Sequence, residues 1–157
     1  MLSTDIQDAL NPEQNSKLLI ITVGNDFRAD DGVGPYIAQA FPNGINDNIY
    51  LINAGQQPEN FIDQATDLNP EKIIIVDAAY FQGEPGECRL FTQDYIPETT
   101  LTTHIFPLKA LAGILAADTK AEVLFLGIQP ISTELGQTMS VEVKKNADEI
   151  IDFLNSR

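Results

Sequence analysis

The chain has 157 residues, 43% of them hydrophobic, and 23 acidic against 9 basic side chains give a formal net charge of -14. That length suits one domain whose folding buries roughly 70% of the surface of the unfolded chain, and the charge disfavours nucleic acid and anionic membranes, which are held by clustered Lys and Arg. The single cysteine, Cys88, excludes an internal disulfide or a multi-cysteine zinc site.

No apolar run approaches the ~20 residues that a membrane helix requires, and the first residues lack the basic start and apolar core of a signal peptide. The expectation is a soluble cytoplasmic protein whose partners are basic or carry a metal cation. Without a long heptad pattern, monomer is the default.

Taken in chain order, Met1 to Ser16 is polar, broken by Pro12 and free of basic residues, which predicts a poorly ordered acidic tail over 1–16 ahead of a single domain over 17–157. Leu18 to Val23 has the length and composition of a strand buried on both faces. Gly24 ends it, a polar connection carries Asp26, Arg28, Asp30 and Asp31, and a helix follows from about Gly32 to Ala40 with Pro35 near its start. Ile49 to Asn53 reads as a second strand, and Pro58-Glu59-Asn60 opens a helix with Phe61, Ile62, Ala65 and Leu68 at helical spacing.

Lys72 to Ala79 is the strongest buried-strand pattern and finishes on Asp77. Glu87 to Phe91 follows through a connection too short for a helical crossover, so that strand should be antiparallel and near an edge. Ile105 to Ala117 is helical, with Pro107 in its first turn and Thr102, Thr103 or His104 as the cap. Glu122 to Gln129 is a further buried strand, and an amphipathic helix closes the chain from Thr138 onward. Five strands alternating mostly with helices argue a three-layer α/β/α sandwich around a mostly parallel five-stranded sheet.

Neither a G-x-G-x-x-G fingerprint after the first strand nor a G-x-x-x-x-G-K-S/T loop exists, which lowers nucleotide binding, and no G-x-S-x-G elbow supports a serine hydrolase. Cys88 lies in a strand pattern and reads as a small core residue rather than a thiolate partner of His104. Asp31, Asp77 and His104 remain. The first two follow parallel-type strands at one sheet edge, where α/β proteins build ligand sites. The histidine starts a helix after a loop long enough to reach that edge. Two carboxylates and one imidazole suit a divalent transition metal with positions left open. Each also has a plainer use: helix capping for Asp30, Asp31 and His104, and backbone hydrogen bonding for Asp77.

The ordered set Val23-Gly24-Asn25, Asp30-Asp31-Gly32-Val33-Gly34-Pro35, Ile75-Val76-Asp77-Ala78, Thr102-Thr103-His104 and Gly127-Ile128-Gln129-Pro130 resembles the motifs of the hydrogenase maturation proteases. The likeness runs from about Leu18 to Ile151 and is nearest to the branch serving hydrogenase 3, which has Asp as the second acid of the pair. It implies a mixed five-stranded α/β/α sandwich and an endopeptidase that trims the C-terminal extension of the nickel-iron hydrogenase large-subunit precursor. It further implies that Asp31, Asp77 and His104 contact nickel supplied by the substrate, with no stored cofactor, and serve as the catalytic set. Asn25, Asp30 and Gln129 are then the candidates for substrate contact. A non-catalytic nickel-sensing or delivery module and a generic metal-dependent hydrolase of small molecules are the competing readings.

Overall fold

Six consecutive residues rich in Leu, Ile and Val make β1 (Leu18–Val23), and all six are buried. The remaining strands are β2 (Ile49–Gly55), β3 (Lys72–Ala78), β4 (Cys88–Thr92) and β5 (Glu122–Ile128), joined in one sheet of order β2-β1-β3-β5-β4. The computed structural model describes residues 1–98 and 107–157. Pairing is parallel throughout except for β4, which runs antiparallel to β5 from Cys88 opposite Ile128 to Thr92 opposite Leu124. The short connection to β4 therefore has the consequence expected of it, an antiparallel edge strand.

Side chains alternate across the sheet, so one strand feeds two cores. Leu18 and Ile20 of β1 join Ile74, Val76 and Leu126 on one face, where Val33 and Ile37 of α2 (Val33–Gln39) and Val143, Ala147 and Ile150 of α5 (Val141–Asn155) cover them. Leu19, Ile21, Ile73, Ile75 and Phe125 point the other way, against Ala65 of α3 (Ile62–Leu68) and Leu108, Leu111 and Leu115 of α4 (Leu108–Thr119). Three layers result, as the strand and helix pattern predicts. Tyr36 of α2 also ties that helix to α5 by donating its hydroxyl to Asp148 at 2.6 Å.

The expectation of a poorly ordered tail over 1–16 is corrected. Thr4–Ala9 forms a helix, α1, and Leu2, Ile6, Ala9 and Leu10 belong to the core on the α2/α5 face. Their spacing of three to four residues is a helical stripe, which outweighs the polar average of the segment and Pro12. Two helix starts also shift. Pro107 stands outside α4 as its N-cap rather than in its first turn, and the capping residues proposed for it, 102–104, lie outside the described residues. The last helix starts at Val141, because Ser140 caps it by accepting from the Val143 amide at 3.4 Å. If α1 is part of the core, Leu10→Ala should destabilise the fold by about 2–5 kcal/mol, the usual loss for a buried leucine. A denaturant midpoint unchanged by that substitution would return α1 to the status of a tail.

Candidate active site

The order β2-β1-β3 makes the connection leaving β1 turn toward one edge of the sheet and that leaving β3 turn toward the other. This divergence opens a crevice at the carboxyl ends of β1 and β3, the place where open α/β sheets bind ligands. Both acids singled out in the sequence are there. Asp77 is the penultimate residue of β3, and Asp31 sits in a 3-10 turn, Ala29–Gly32, that follows β1 and packs against β3.

Glycines bring the acid turn this close. Gly24 adopts φ +142°, and a Cβ there would stand 2.0 Å from the carbonyl oxygen of Asp31. Gly34 does the same for the helix, since its Cβ would lie 2.3 Å from the carbonyl oxygen of Val23. Any larger residue at either position would push the turn away from the strand. The register between β1 and β2 also shifts at Thr22/Val23, and the Gly24 amide donates to the Gly55 carbonyl at 2.9 Å. Such irregularities commonly re-aim a chain beside a site.

Asp31 and Asp77 are both wholly buried. The Asn25 amide donates to Asp31 Oδ2 at 3.1 Å, and the Ala78 amide donates to Asp77 Oδ1 at 2.8 Å. Backbone donors therefore help to hold two carboxylates out of bulk water, where an unsatisfied charge would be costly. For Asp77 the backbone hydrogen bond and the position at the rim occur together. His104 lies outside the described residues. Among the described residues, no three His, Cys, Asp or Glu side chains are grouped so as to hold a metal ion, so any such set here requires a donor beyond them.

The three residues proposed for substrate contact have internal partners. Asp30 has the most of them. It is buried, and its Oδ2 accepts from the amides of Ile131 at 2.8 Å and Ser132 at 3.3 Å and from the Ser140 hydroxyl at 3.1 Å. Its Oδ1 accepts from the Ser140 amide at 2.7 Å. With both oxygens engaged by the β5–α5 loop, the Asp30 carboxylate does not cap α2, whose N-cap is Gly32. Asn25 Oδ1 accepts from the Phe27 amide at 2.9 Å, closing a local turn. Gln129 Oε1 accepts from the amides of Phe81 at 2.9 Å and Gly83 at 3.1 Å, which fixes the loop after β3. Asp31 does not cap the helix either, since the N-cap of α2 is Gly32 and the Asp31 carboxylate accepts from the Asn25 amide.

Sequence reading missed the partnership of Asp30 with residues 131–140. Nothing local marks it, because the partners are more than a hundred positions away. Cys88 packs against the α2/α5-side core, with its thiol pointing to the Gly86 carbonyl at 3.7 Å. Burial, aided by the negative charges of Glu149 and Glu87, pushes the thiol up to about 12. It therefore stays protonated at neutral pH and is no nucleophile.

Residues 36–156 match the model of the hydrogenase maturation protease family. The chain is 40% identical to the hydrogenase 3 maturation protease of Escherichia coli K12 over 137 residues, 87% of each chain. Its fold superposes on the solution structure of an endopeptidase HycI from Escherichia coli with a TM-score of 0.79 at 33% identity, covering 89% of this chain and 90% of that one. A NiFe hydrogenase maturation protease HycI from Thermococcus kodakarensis gives a TM-score of 0.85 at 24% identity, over 98% of this chain and all of the other. Cys88→Ala should leave peptidase activity at its original level, and iodoacetamide at pH 8 should alkylate native Cys88 about a thousandfold more slowly than an ordinary thiol. Loss of cleavage in a folded Cys88→Ala protein would restore the thiol to the mechanism.

Proposed function

From the premise that the chain belongs to the hydrogenase maturation protease family and is a peptidase, we propose that it removes the C-terminal extension of a nickel-iron hydrogenase large-subunit precursor and recognises the nickel which that precursor already holds. The observation that carries this reading is the pair of wholly buried carboxylates, Asp31 and Asp77, at the crevice where the chain leaves β1 and β3 in opposite directions. In a family of proteases, two such groups at the ligand edge of the sheet are best understood as the working part of the site. Membership in that family also sets aside the non-catalytic sensing module and the small-molecule hydrolase.

In this proposal Asp31, Asp77 and His104 meet nickel as part of the substrate. Carboxylate and imidazole are ordinary donors for such an ion, and delivery by the client means that the peptidase stores no cofactor. Nickel held against the scissile region supplies positive charge that polarises a carbonyl or a water. Hydrolysis consumes one water, and a carboxylate takes a proton from that water as its oxygen attacks the carbonyl carbon. The same proton passes to the departing amine as the carbon–nitrogen bond breaks. Backbone donors at Asn25 and Ala78 hold the two carboxylates in place for this work.

The cytoplasm is the proposed compartment; no helix among the described residues is long and apolar enough to cross a membrane. Mass spectrometry of nickel-loaded and nickel-free precursor after incubation with the protein decides the reading. Loss of the extension from the loaded form alone is expected, while equal processing of both forms, or of neither, counts against it. Asp31→Asn and Asp77→Asn should each slow processing at least about a hundredfold, the scale of a lost acid–base group, with the fold retained.

A further inference from the structure

Asp30 lies next to the acid just assigned to chemistry but serves a different structure. Its amide donates to the Ser132 carbonyl at 3.0 Å while its carboxylate collects the amides of Ile131, Ser132 and Ser140 and the Ser140 hydroxyl. A second link runs beside it, from the Gly136 amide to the Phe27 carbonyl at 2.8 Å. The loop after β5 is thus tied at both ends, and once near its middle, to the turn after β1. Asn25 Oδ1 stiffens that turn in its own right by accepting from the Phe27 amide.

On this tied frame stand three large apolar side chains that the fold leaves in water: Phe27 at 70%, Leu135 at 68% and Ile131 at 51% exposure. Single exposed apolar residues need no explanation. The segments that carry these three are joined by the Gly136 amide donating to the Phe27 carbonyl and by the Ile131 amide donating to the Asp30 carboxylate, and the same frame continues directly into Asp31. A polypeptide whose scissile bond lies over Asp31 and Asp77 must cross the adjoining surface. Exposed apolar side chains carried on tied segments there offer it burial without the cost of ordering a loop.

We propose that Asp30 is a positioning residue for substrate docking, holding Phe27, Ile131 and Leu135 as one apolar surface that receives an apolar stretch of the hydrogenase precursor beside the scissile bond. This rests on the precursor being the substrate, as argued above. Asp30 acts through the loop it fixes and not on the reacting atoms. Its loss therefore weakens docking more than it slows the chemical step.

The test is steady-state processing of nickel-loaded precursor by two variants, Asp30→Asn and the double variant Phe27→Ser/Leu135→Ser. Asp30→Asn keeps the shape of the side chain but sets an amide group against backbone donors. Each variant should raise KM about tenfold and keep kcat within about twofold. In Asp30→Asn the amides of Ile131, Ser132 and Ser140 should exchange hydrogen faster, with the β1 and β3 amides unchanged. A wild-type KM in either variant overturns the proposal, and so does a fall in kcat alone. If exchange shows that Asp30→Asn loosens the sheet itself, Ser140→Ala, which removes one of the four bonds to the carboxylate, takes its place under the same criteria. If the wild-type protein binds the precursor without cutting it, the reading of function fails by itself, and the variants are judged by the same tenfold rise in Kd for uncut precursor. If the wild type neither cuts nor binds it, both fall.

Discussion

Keeping two consecutive carboxylates out of water is the constraint around which the rim of this sheet is built. Moving a charge into the protein costs several kcal/mol unless donors replace its water. Neighbouring side chains in a 3-10 turn diverge by about a third of a revolution, since such a helix has about 3.0 residues per turn. Asp30 and Asp31 therefore cannot share one set of donors. Asp30 turns to the amides of the β5–α5 loop, and Asp31 turns back to the Asn25 amide beside β1. One geometric fact separates an acid that builds the rim from an acid that borders the crevice.

That arrangement needs the turn to lie almost on the end of β1, and the absence of a side chain at Gly24 and Gly34 allows it. The parallel sheet supplies the other half of the site. Since β1 and β3 run side by side in the same direction, their carboxyl ends reach the same rim, and Asp77 arrives next to the acid turn without any special device. Local close packing and global topology are thus both required. Neither would be sufficient if the strand order placed another strand between the two.

Much of the fold was legible because burial on both faces of a sheet writes a continuous apolar run: Leu18 to Val23 and the Ile-rich stretch ending at Asp77 are strands of the expected extent. The antiparallel direction of β4 followed from the length of its connection. The helix at the start of the chain was hidden by its surroundings, because Asp5, Asp8 and Pro12 dominate the average while Leu2, Ile6 and Leu10 carry the stripe. In the site, residue type located Asp31 and Asp77 but could not distinguish Asp30 from Asp31. The difference between them lies in partners at Ile131, Ser132 and Ser140, and a pairing across that distance leaves no periodicity to read. Gln129 is a similar case, since its part in closing the loop after β3 rests on amides 48 and 46 positions away.

On the proposed mechanism, the chemistry of the donor groups explains why the client should bring the cation. Proton transfer by a carboxylate contributes about 10²- to 10⁴-fold, well short of what hydrolysis of an amide demands of an enzyme. The remainder must come from stabilising negative charge on the carbonyl oxygen as it develops, and a carboxylate is of the wrong sign for that task. A peptidase that leaves this positive charge to its substrate has poor chemistry with an unloaded precursor and competent chemistry with a loaded one. Recognition of the cargo and catalysis then become one event at Asp31 and Asp77, with the neighbouring acid free to hold the surface on which the polypeptide rests.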